Sequence, residues 1–397
     1  LICIKCSSKL LWKKNNLDQG IEKLTCQNSS CGFETGPDEI MLTRKTMLKT
    51  PPDILFTTTE MLNQNTSGVQ YHKLFGITRT RLKPQMILLD EIHTYSGTHG
   101  AQIAYLIRRL REMIKSKITF VALSATLVDG ARFLSKMIKV PENKVNIIEP
   151  FPEEMDHKGA EYLLAVKGDP ISKSALLSTT IQTNMLLSRM LDPHNDDKSN
   201  GFFGKKLFSF TDDLDVVNRL YHSSLDSEGR NYRGFEVGSS VSLASLRNPD
   251  DLSNIKNNQG QVWKIPSKIQ NDPDLSKKKK IVRVSRQDPG TQSDAEIVVA
   301  TSKLEVGVDD PDVGAVVQHK SPREFASFLQ RKGRAGRAPY MRPWTVVVLS
   351  DFGRDKLSYQ SYDMLFNPQM KIQPLPLKSQ YVQKMQATYC LLDYLCL

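Results

Sequence analysis

The sequence contains no Walker-type phosphate-binding loop, because the pattern GxxxxGK[ST] occurs nowhere in it. The nearest fragment, Gly204-Lys205-Lys206, lacks both the upstream glycine spacing and the Ser or Thr that would bind Mg²⁺. Such a loop supplies the backbone N–H cradle and the lysine that hold the β- and γ-phosphates of ATP. On its own, this chain is therefore expected to bind ATP poorly and to hydrolyse almost none.

The sequence also lacks a membrane-spanning segment and a signal peptide. No apolar run approaches the ~18 residues that a helix needs to cross a bilayer, so we expect a cytoplasmic protein with no membrane partner. The first residues, LICIKCSSKL, include no initiator Met and no charged region before a long apolar stretch, which excludes a signal peptide and suggests a piece of a longer protein. Six cysteines in 397 residues are too few for a disulfide scaffold.

The charge balance is positive. Lys and Arg total 54 against 43 Asp and Glu, which gives a net charge of +11. An excess of this size favours polyanionic partners, most often nucleic acid, because binding releases counterions. On charge alone, simple solubility explains the excess equally well.

Four of the six cysteines form two close pairs near the start, Cys3 with Cys6 and Cys26 with Cys31. Four thiolates from two tight turns suit tetrahedral Zn²⁺, which prefers soft ligands. The spacing therefore predicts a structural zinc ribbon over residues 1–38. Unliganded or disulfide-linked cysteines are the alternative, because a C-x4-C pair is less usual than C-x2-C. Cys390 and Cys396 would fall on different faces of a helix and are expected in the core.

Beyond residue 50, short apolar runs alternate with helical patterns, as in a parallel α/β sheet. The runs predict two series of strands, separated by a polar linker at residues 149–158. A long polar stretch at residues 223–292 predicts a surface insertion. The predicted strands are 53–56, 86–89 and 118–123 in the first series, and 206–210, 296–300, 315–318 and 344–349 in the second.

The sequence MILLDEIH, residues 86–93, indicates an apolar strand that ends in two carboxylates, Asp90 and Glu91. Ligands of open α/β sheets bind at the carboxyl ends of the strands. Nucleotide hydrolysis needs one carboxylate to hold Mg²⁺ and another to orient and deprotonate the attacking water, and Asp90 and Glu91 suit these roles. Standing alone, the tetrapeptide would be better explained as an acidic strand–loop junction.

Several other motifs accompany DEIH in a fixed order, and together they resemble the superfamily 2 DExH-box helicases. DEIH is similar to motif II of that family, and the other motifs are Ib, III, IV, V and VI. The sequences of these motifs are similar to those of Lhr-like bacterial helicases and their zinc-bearing relatives in DNA repair and antiphage defence. The matching segments are TPPDILFTTTEML (50–62), ITFVALSAT (118–126), KLFSFTDD (206–213), ATSKLEVGVDDPDV (300–313) and QRKGRAGR (330–337).

The resemblance implies an α/β fold of two RecA-like parallel-sheet domains with a cleft between them. It places a small zinc-ribbon insertion at 1–38, the carboxyl-terminal part of the first RecA-like domain at 39–150, and the second domain at 151–375. Residues 376–397 would begin a further element. The first domain would lack its amino-terminal part, where the family carries its phosphate-binding loop.

The resemblance also assigns roles to single residues. Arg334 and Arg337 would reach the γ-phosphate of ATP, a task that suits planar guanidinium groups. Gln330 would frame the site, His93 would couple it to the second domain, and Asp90 would hold Mg²⁺. The implied catalytic set is Asp90, Glu91, His93, Gln330, Arg334 and Arg337. The implied coupling residues are Ser124, Ala125 and Thr126, the nucleotide-binding residues Gly307 and Asp309, and the nucleic-acid-binding residues Thr57, Thr58, Thr59, Ser209 and Thr301.

The function implied is that of an ATP-dependent helicase or translocase motor, with ATP, Mg²⁺ and Zn²⁺ as its ligands. Nucleic acid would be the partner, DNA in preference to RNA, together with repair or defence proteins. The alternative is a nucleic-acid-binding or scaffold protein that kept the fold and lost its ATPase activity. The missing phosphate-binding loop favours that alternative, whereas the intact motifs II, III and VI argue against it.

Overall fold

The computed structural model describes most of the chain. The described residues are 1–36, 39–77, 83–124, 127–154, 159–168, 176–194, 196, 198–248, 262–264, 275–284, 294–301, 310–338, 340–367, 370–371 and 374–396. None of the helices in these ranges is long and apolar enough to cross a membrane. The chain divides into two compact units: Leu1–Ile148 with Lys371–Leu397 form unit 1, and Glu149–Met370 form unit 2.

Unit 1 begins with a small ribbon, in which strands β1 (Leu10–Trp12) and β2 (Leu24–Cys26) pair antiparallel around the short helix α1 (Lys14–Asp18). Helices α2 (Arg44–Lys49) and α3 (Thr59–Asn65) follow. Each of these two helices starts at a threonine, Thr43 or Thr58, whose side-chain oxygen accepts a hydrogen bond from a backbone N–H of the first turn.

The α/β part of unit 1 holds two parallel strands, β3 (Met86–Leu89) and β4 (Thr119–Ala122). The long helix α4 (Gly97–Ile114) connects them, and its apolar residues recur every three or four positions and are buried. Gly100 is required in α4, because a Cβ there would lie 2.3 Å from the carbonyl oxygen of Tyr95. The two-residue strand β5 (Leu127–Val128) and helix α5 (Gly130–Ile138) complete this part, and α5 packs against α4.

Unit 2 is built on a six-stranded parallel sheet in the order β6-β11-β10-β7-β9-β8. Strands β7, β9 and β10 are buried along their whole length, because helices cover both faces of such a sheet. The strands are β6 (Tyr162–Lys167), β7 (Lys206–Phe210), β8 (Ile281–Val284), β9 (Ile297–Ala300), β10 (Val313–His319) and β11 (Trp344–Leu349).

The helices of unit 2 are α6 (Leu176–Ser188), α7 (Leu214–Ser227), α8 (Phe325–Lys332), α9 (Gly353–Gln360) and α10 (Tyr362–Phe366). A two-residue strand, β12 (Met370–Lys371), follows them. The last helix of the chain, α11 (Gln380–Cys396), belongs to unit 1. There Asp393 forms a buried ion pair with Arg109 of α4, at 2.7 Å, so that α11 packs on the helix that follows motif II.

Three sequence predictions need correction. Residues 53–56 do not form a strand, since among the described residues of unit 1 no strand pairs with them, and Phe56 is 94% exposed. Where it is described, the polar stretch 223–292 is only partly at the surface: Tyr232 and Phe235 are exposed, but Glu228 and Lys279 are buried, and Ile281–Val284 form β8. Cys390 is exposed and not in the core, because α11 buries Val382, Gln386 and Asp393 instead.

Candidate active site

The two carboxylates of DEIH lie at the carboxyl end of β3, as predicted. Asp90 follows the last strand residue, and one of its oxygens accepts the backbone N–H of Glu91 at 3.0 Å. Glu91 has a left-handed backbone conformation, φ 49° and ψ 46°, which a residue with a side chain seldom adopts. Both carboxylates are exposed. Backbone strain of this kind concentrates at functional sites, where the surrounding structure holds it in place.

His93 connects motif II to motif III within unit 1. The imidazole is buried, and its Nδ1 lies 3.1 Å from the hydroxyl oxygen of Ser124 and 3.3 Å from a carboxylate oxygen of Glu91. Burial lowers the pKa of His93, and the nearby charges of Glu91 and Asp90 oppose that shift. The backbone adds a second connection, since the N–H of Ile92 donates to the carbonyl of Leu123 at 3.0 Å. The ends of β3 and β4 are therefore held together.

The threonines of motif Ib lie at the start of α3. The hydroxyl of Thr58 accepts the N–H of Met61 at 3.1 Å and so caps the helix, while Thr57 is exposed and Thr59 is half-buried. Thr57 and Thr58 are therefore the members of this set whose side chains a phosphate could reach.

In unit 2, motif VI occupies the end of α8 and the turn after it. Gln330 and Arg334 are half-buried, and Arg337 is exposed. The Nε of Arg337 donates to the carbonyl of Gly333 at 3.1 Å. The turn depends on Gly336, which has φ +76° and packs so closely on Pro343 that a Cβ would lie 2.6 Å from its ring. The local fold thus presents two arginines three residues apart at the surface of unit 2.

A buried ion pair that was not predicted anchors motif VI. Arg331 lies 2.6 Å from a carboxylate oxygen of Asp212, donates to the side-chain oxygen of Gln318 at 2.8 Å, and stacks over Phe210. The other oxygen of Asp212 accepts the backbone N–H of Arg323, just before α8 begins. Asp212 therefore contacts residues at both ends of α8. Sequence patterns placed Asp212 in motif IV and Arg331 in motif VI, but nothing in them pairs the two.

The remaining predicted residues have mixed outcomes. Ser209 lies inside β7, fully buried, and its hydroxyl accepts a hydrogen bond from Asn184 at 3.0 Å, so its assignment to nucleic-acid binding is corrected. Because side chains alternate along a strand, the residues that reach the carboxyl edge come after β7, at Thr211 and Asp212. Thr301 follows β9 and is half-buried. Ala125, Thr126, Gly307 and Asp309 lie outside the described residues.

The four paired cysteines come together in the ribbon. Their sulfur atoms all lie within 4.8 Å of one another, with Cys3 to Cys31 at 3.8 Å and Cys6 to Cys26 at 3.4 Å. Four sulfurs at Zn–S bonds of about 2.3 Å would lie about 3.8 Å apart in a tetrahedron, so the donor set fits zinc. Hydrogen bonds from Ser8 lower the pKa of Cys6 to about 6, whereas burial raises the pKa of Cys26 to about 12.

Comparisons with known proteins agree with this geometry. The model of the helicase conserved C-terminal domain matches residues 269–339, from before β8 through motif VI. An uncharacterised ATP-dependent helicase of Methanocaldococcus jannaschii is 22% identical over 354 residues, covering 87% of this chain and 42% of that protein. The Lhr helicase/uracil glycosylase of Escherichia coli is 24% identical over 314 residues, covering 78% of this chain and 19% of Lhr. Over most of its length the chain is thus similar to ATP-dependent helicases of the Lhr type, and residues 269–339 match a helicase C-terminal domain.

A solved structure has a similar fold. Mycobacterium smegmatis Lhr bound to single-stranded DNA and AMP-PNP superimposes with a TM-score of 0.54 at 19% identity, covering 90% of this chain and 39% of Lhr. The predicted α/β helicase fold is therefore confirmed. The chain spans about two fifths of the M. jannaschii helicase and about a fifth of E. coli Lhr, as the shares of 42% and 19% show.

Proposed function

We propose that the chain is part of an ATP-driven motor that moves along a nucleic-acid strand. The observation that carries the proposal is the arrangement at the end of β3, where two exposed carboxylates follow the strand and His93 links Glu91 to Ser124, just after β4. Hydrolysis of a phosphoanhydride needs charge neutralisation and a positioned water, and little else from the protein. Asp90 and Glu91, held next to the end of β4 by the contact of His93 with Ser124, suit the binding of Mg²⁺ and the positioning of that water.

The roles of the residues follow from their chemistry. Asp90 offers the hard carboxylate oxygen that Mg²⁺ prefers, and the metal would neutralise charge on the phosphates. Glu91, with its carboxylate exposed beside Asp90, would orient the attacking water and take its proton. Arg334 and Arg337 would stabilise the charge that develops on the transferred phosphoryl group. Asp212 and Arg331 would hold α8 and so keep those two arginines in place.

Coupling to movement would use the contacts between motifs. We propose that His93 and Ser124 transmit the state of the nucleotide to the segment after β4, while Thr57 and Thr58 bind a strand phosphate. ATP and its hydrolysis products would favour two different conformations of the motor, and these conformations would bind the nucleic-acid strand with different affinity. Each ATP cycle would therefore tighten and then loosen the contact with the strand. We favour DNA as the strand, since the similar Lhr structure holds single-stranded DNA.

We further propose that Cys3, Cys6, Cys26 and Cys31 bind one structural Zn²⁺. Support comes from the fit of the four sulfurs to a tetrahedral site and from the two turns that carry them, which use left-handed conformations at Ser7 and Gly32. The ribbon would depend on the metal, because its two strands have three residues each and little core of their own.

The experiment that tests the proposed function on this chain is equilibrium binding to single-stranded DNA at increasing salt. We expect binding without ATP, with log Kd rising steeply as salt increases, because phosphate contacts release counterions at about 0.7 per contact. A chain that binds no strand, or binds with affinity independent of salt, contradicts the proposal. A non-catalytic binding protein would pass this test, and ATP hydrolysis separates it from a motor.

A further inference from the structure

A turn in unit 2 presents two aromatic side chains to solvent. Residues 230–237, here called the aromatic turn, follow α7, and within it Tyr232 is 70% exposed and Phe235 is 67% exposed. The guanidinium of Arg233 lies 5.3 Å from the centre of the Tyr232 ring, and its Nε donates to the phenol oxygen at 2.8 Å. Two exposed rings with a guanidinium over one of them offer flat apolar faces beside a positive charge.

The aromatic turn is held rigidly by its own hydrogen bonds. The side-chain oxygen of Asn231 accepts the backbone N–H groups of Arg233 and Phe235, each at 3.0 Å. The backbone N–H of Asn231 donates to the carbonyl of Phe235 at 2.9 Å, and Gly234 closes the turn with φ +84°. Because the backbone is fixed, little conformational entropy remains to be lost when the two rings bind a ligand.

Buried charges anchor the base of the turn. Arg230 donates to the carbonyl oxygens of Lys278 and Lys279 and pairs with Glu236 at 3.0 Å. The residue two before it, Glu228, is fully buried and forms a two-bond ion pair with Arg189, each bond 2.8 Å long. A fully desolvated ion pair thus lies next to a turn whose two aromatic rings are mostly exposed.

Within unit 2, the aromatic turn lies at the amino end of the parallel strands. Its base contacts Lys278 and Lys279, immediately before β8 begins at Ile281. Asp212 and Thr301, in contrast, follow the carboxyl ends of β7 and β9. A ligand on the aromatic turn would therefore bind at the edge of this sheet opposite to Asp212 and Thr301.

We propose that the aromatic turn is a second contact for single-stranded nucleic acid, in which unpaired bases stack on Tyr232 and Phe235 while Arg233 pairs with a phosphate. This inference rests on the proposed function. Ring faces stack on any base, and a neighbouring guanidinium adds both charge and a stacking surface. The base of the turn also carries the exposed Lys277 and the half-buried Lys278, whose positive charges suit a polyanion, whereas Lys279 is buried against Glu296 and Lys280 pairs with Asp294.

The test measures the affinity of the whole chain for single-stranded DNA of about 8 and about 24 nucleotides, lengths that bracket one typical site. Replacing both rings, Tyr232→Ala with Phe235→Ala, should weaken binding of the longer strand by about fivefold or more and leave the shorter strand unchanged. The salt dependence should stay the same, because the change removes stacking and no phosphate contact. Tyr232→Phe keeps the ring and should bind like the parent chain.

Two controls separate stacking from a general effect. Tyr394→Ala removes a ring that is 77% exposed on α11, and it should not change the affinity. A strand of about 24 nucleotides without bases keeps the phosphates and should be bound equally by parent and double variant. If the parent chain binds no strand, the proposed function fails. If the parent binds the longer strand and the double variant binds it equally well, the aromatic turn is not a nucleic-acid contact and its rings serve a protein partner instead.

Discussion

Replacing Glu228 should destabilise unit 2 more than any exposed charge change. Its carboxylate accepts hydrogen bonds from two nitrogens of Arg189, from the hydroxyl of Ser242 and from the backbone N–H of Lys279. The two charged side chains are 0% and 1% exposed. Glu228→Ala would leave the Arg189 charge buried without its counterion, which costs about 3–5 kcal/mol in comparable sites. In a unit of this size that corresponds to a fall in melting temperature of about 6–20 °C.

Denaturant unfolding followed by tryptophan fluorescence measures this change, because Trp263 and Trp344 pack against the core of unit 2. The matched control is Asp351→Ala, which breaks the ion pair with Lys167, whose side chains are about one third exposed at 31% and 34%. An exposed pair contributes at most about 1 kcal/mol, so the control should unfold close to the parent. Equal losses for the two variants, or no loss for Glu228→Ala, would refute the assignment of Glu228 as a buried anchor.

Two further predictions concern metal content and pH. Purified chain should contain about one zinc per molecule and lose it when Cys26 and Cys31 become Ser; absence of metal in the parent would overturn the ribbon assignment. Burial, reinforced by Lys320, lowers the pKa of His319 to about 4, so the unfolded chain takes up a proton first as pH falls. Stability should therefore decrease between about pH 6.5 and pH 4, and His319→Gln should flatten that decrease in pH-dependent unfolding.

The strands that were predicted correctly from the sequence are those marked by a run of mostly apolar residues. The apolar runs inside 206–210 and 344–349 are strands, since a parallel strand covered on both faces must be apolar along its length. The run before Asp90 is a strand as well, although Met86 and Leu88 are exposed. Two strands of the six-stranded sheet were missed. β6 (Tyr162–Lys167) follows a polar stretch and is only half-buried at the sheet edge, and β8 (Ile281–Val284) follows a run of four lysines.

Buried polar groups explain most of the other misses. Lys279 and Glu228 are hidden inside unit 2 because each has a partner distant in sequence, Glu296 for the lysine and Arg189 for the carboxylate. A pattern of hydrophobic spacing treats such residues as surface. The pairing of Asp212 with Arg331 cannot be read from the pattern either, because it joins two residues 119 positions apart through the fold alone. Ser209 shows the opposite error: because it belongs to motif IV it was expected to contact nucleic acid, whereas its side chain is buried.

ATP hydrolysis by the protein expressed from its complete reading frame, with and without single-stranded DNA, tests the account most directly. We expect the strand to stimulate hydrolysis, Glu91→Gln to abolish turnover while nucleotide still binds, and Arg337→Ala to lower the rate by a factor on the order of 10³–10⁵. Neither side chain is buried, so both variants should fold like the parent. Hydrolysis at the parental rate in Glu91→Gln would contradict the assignment of the catalytic site at the end of β3.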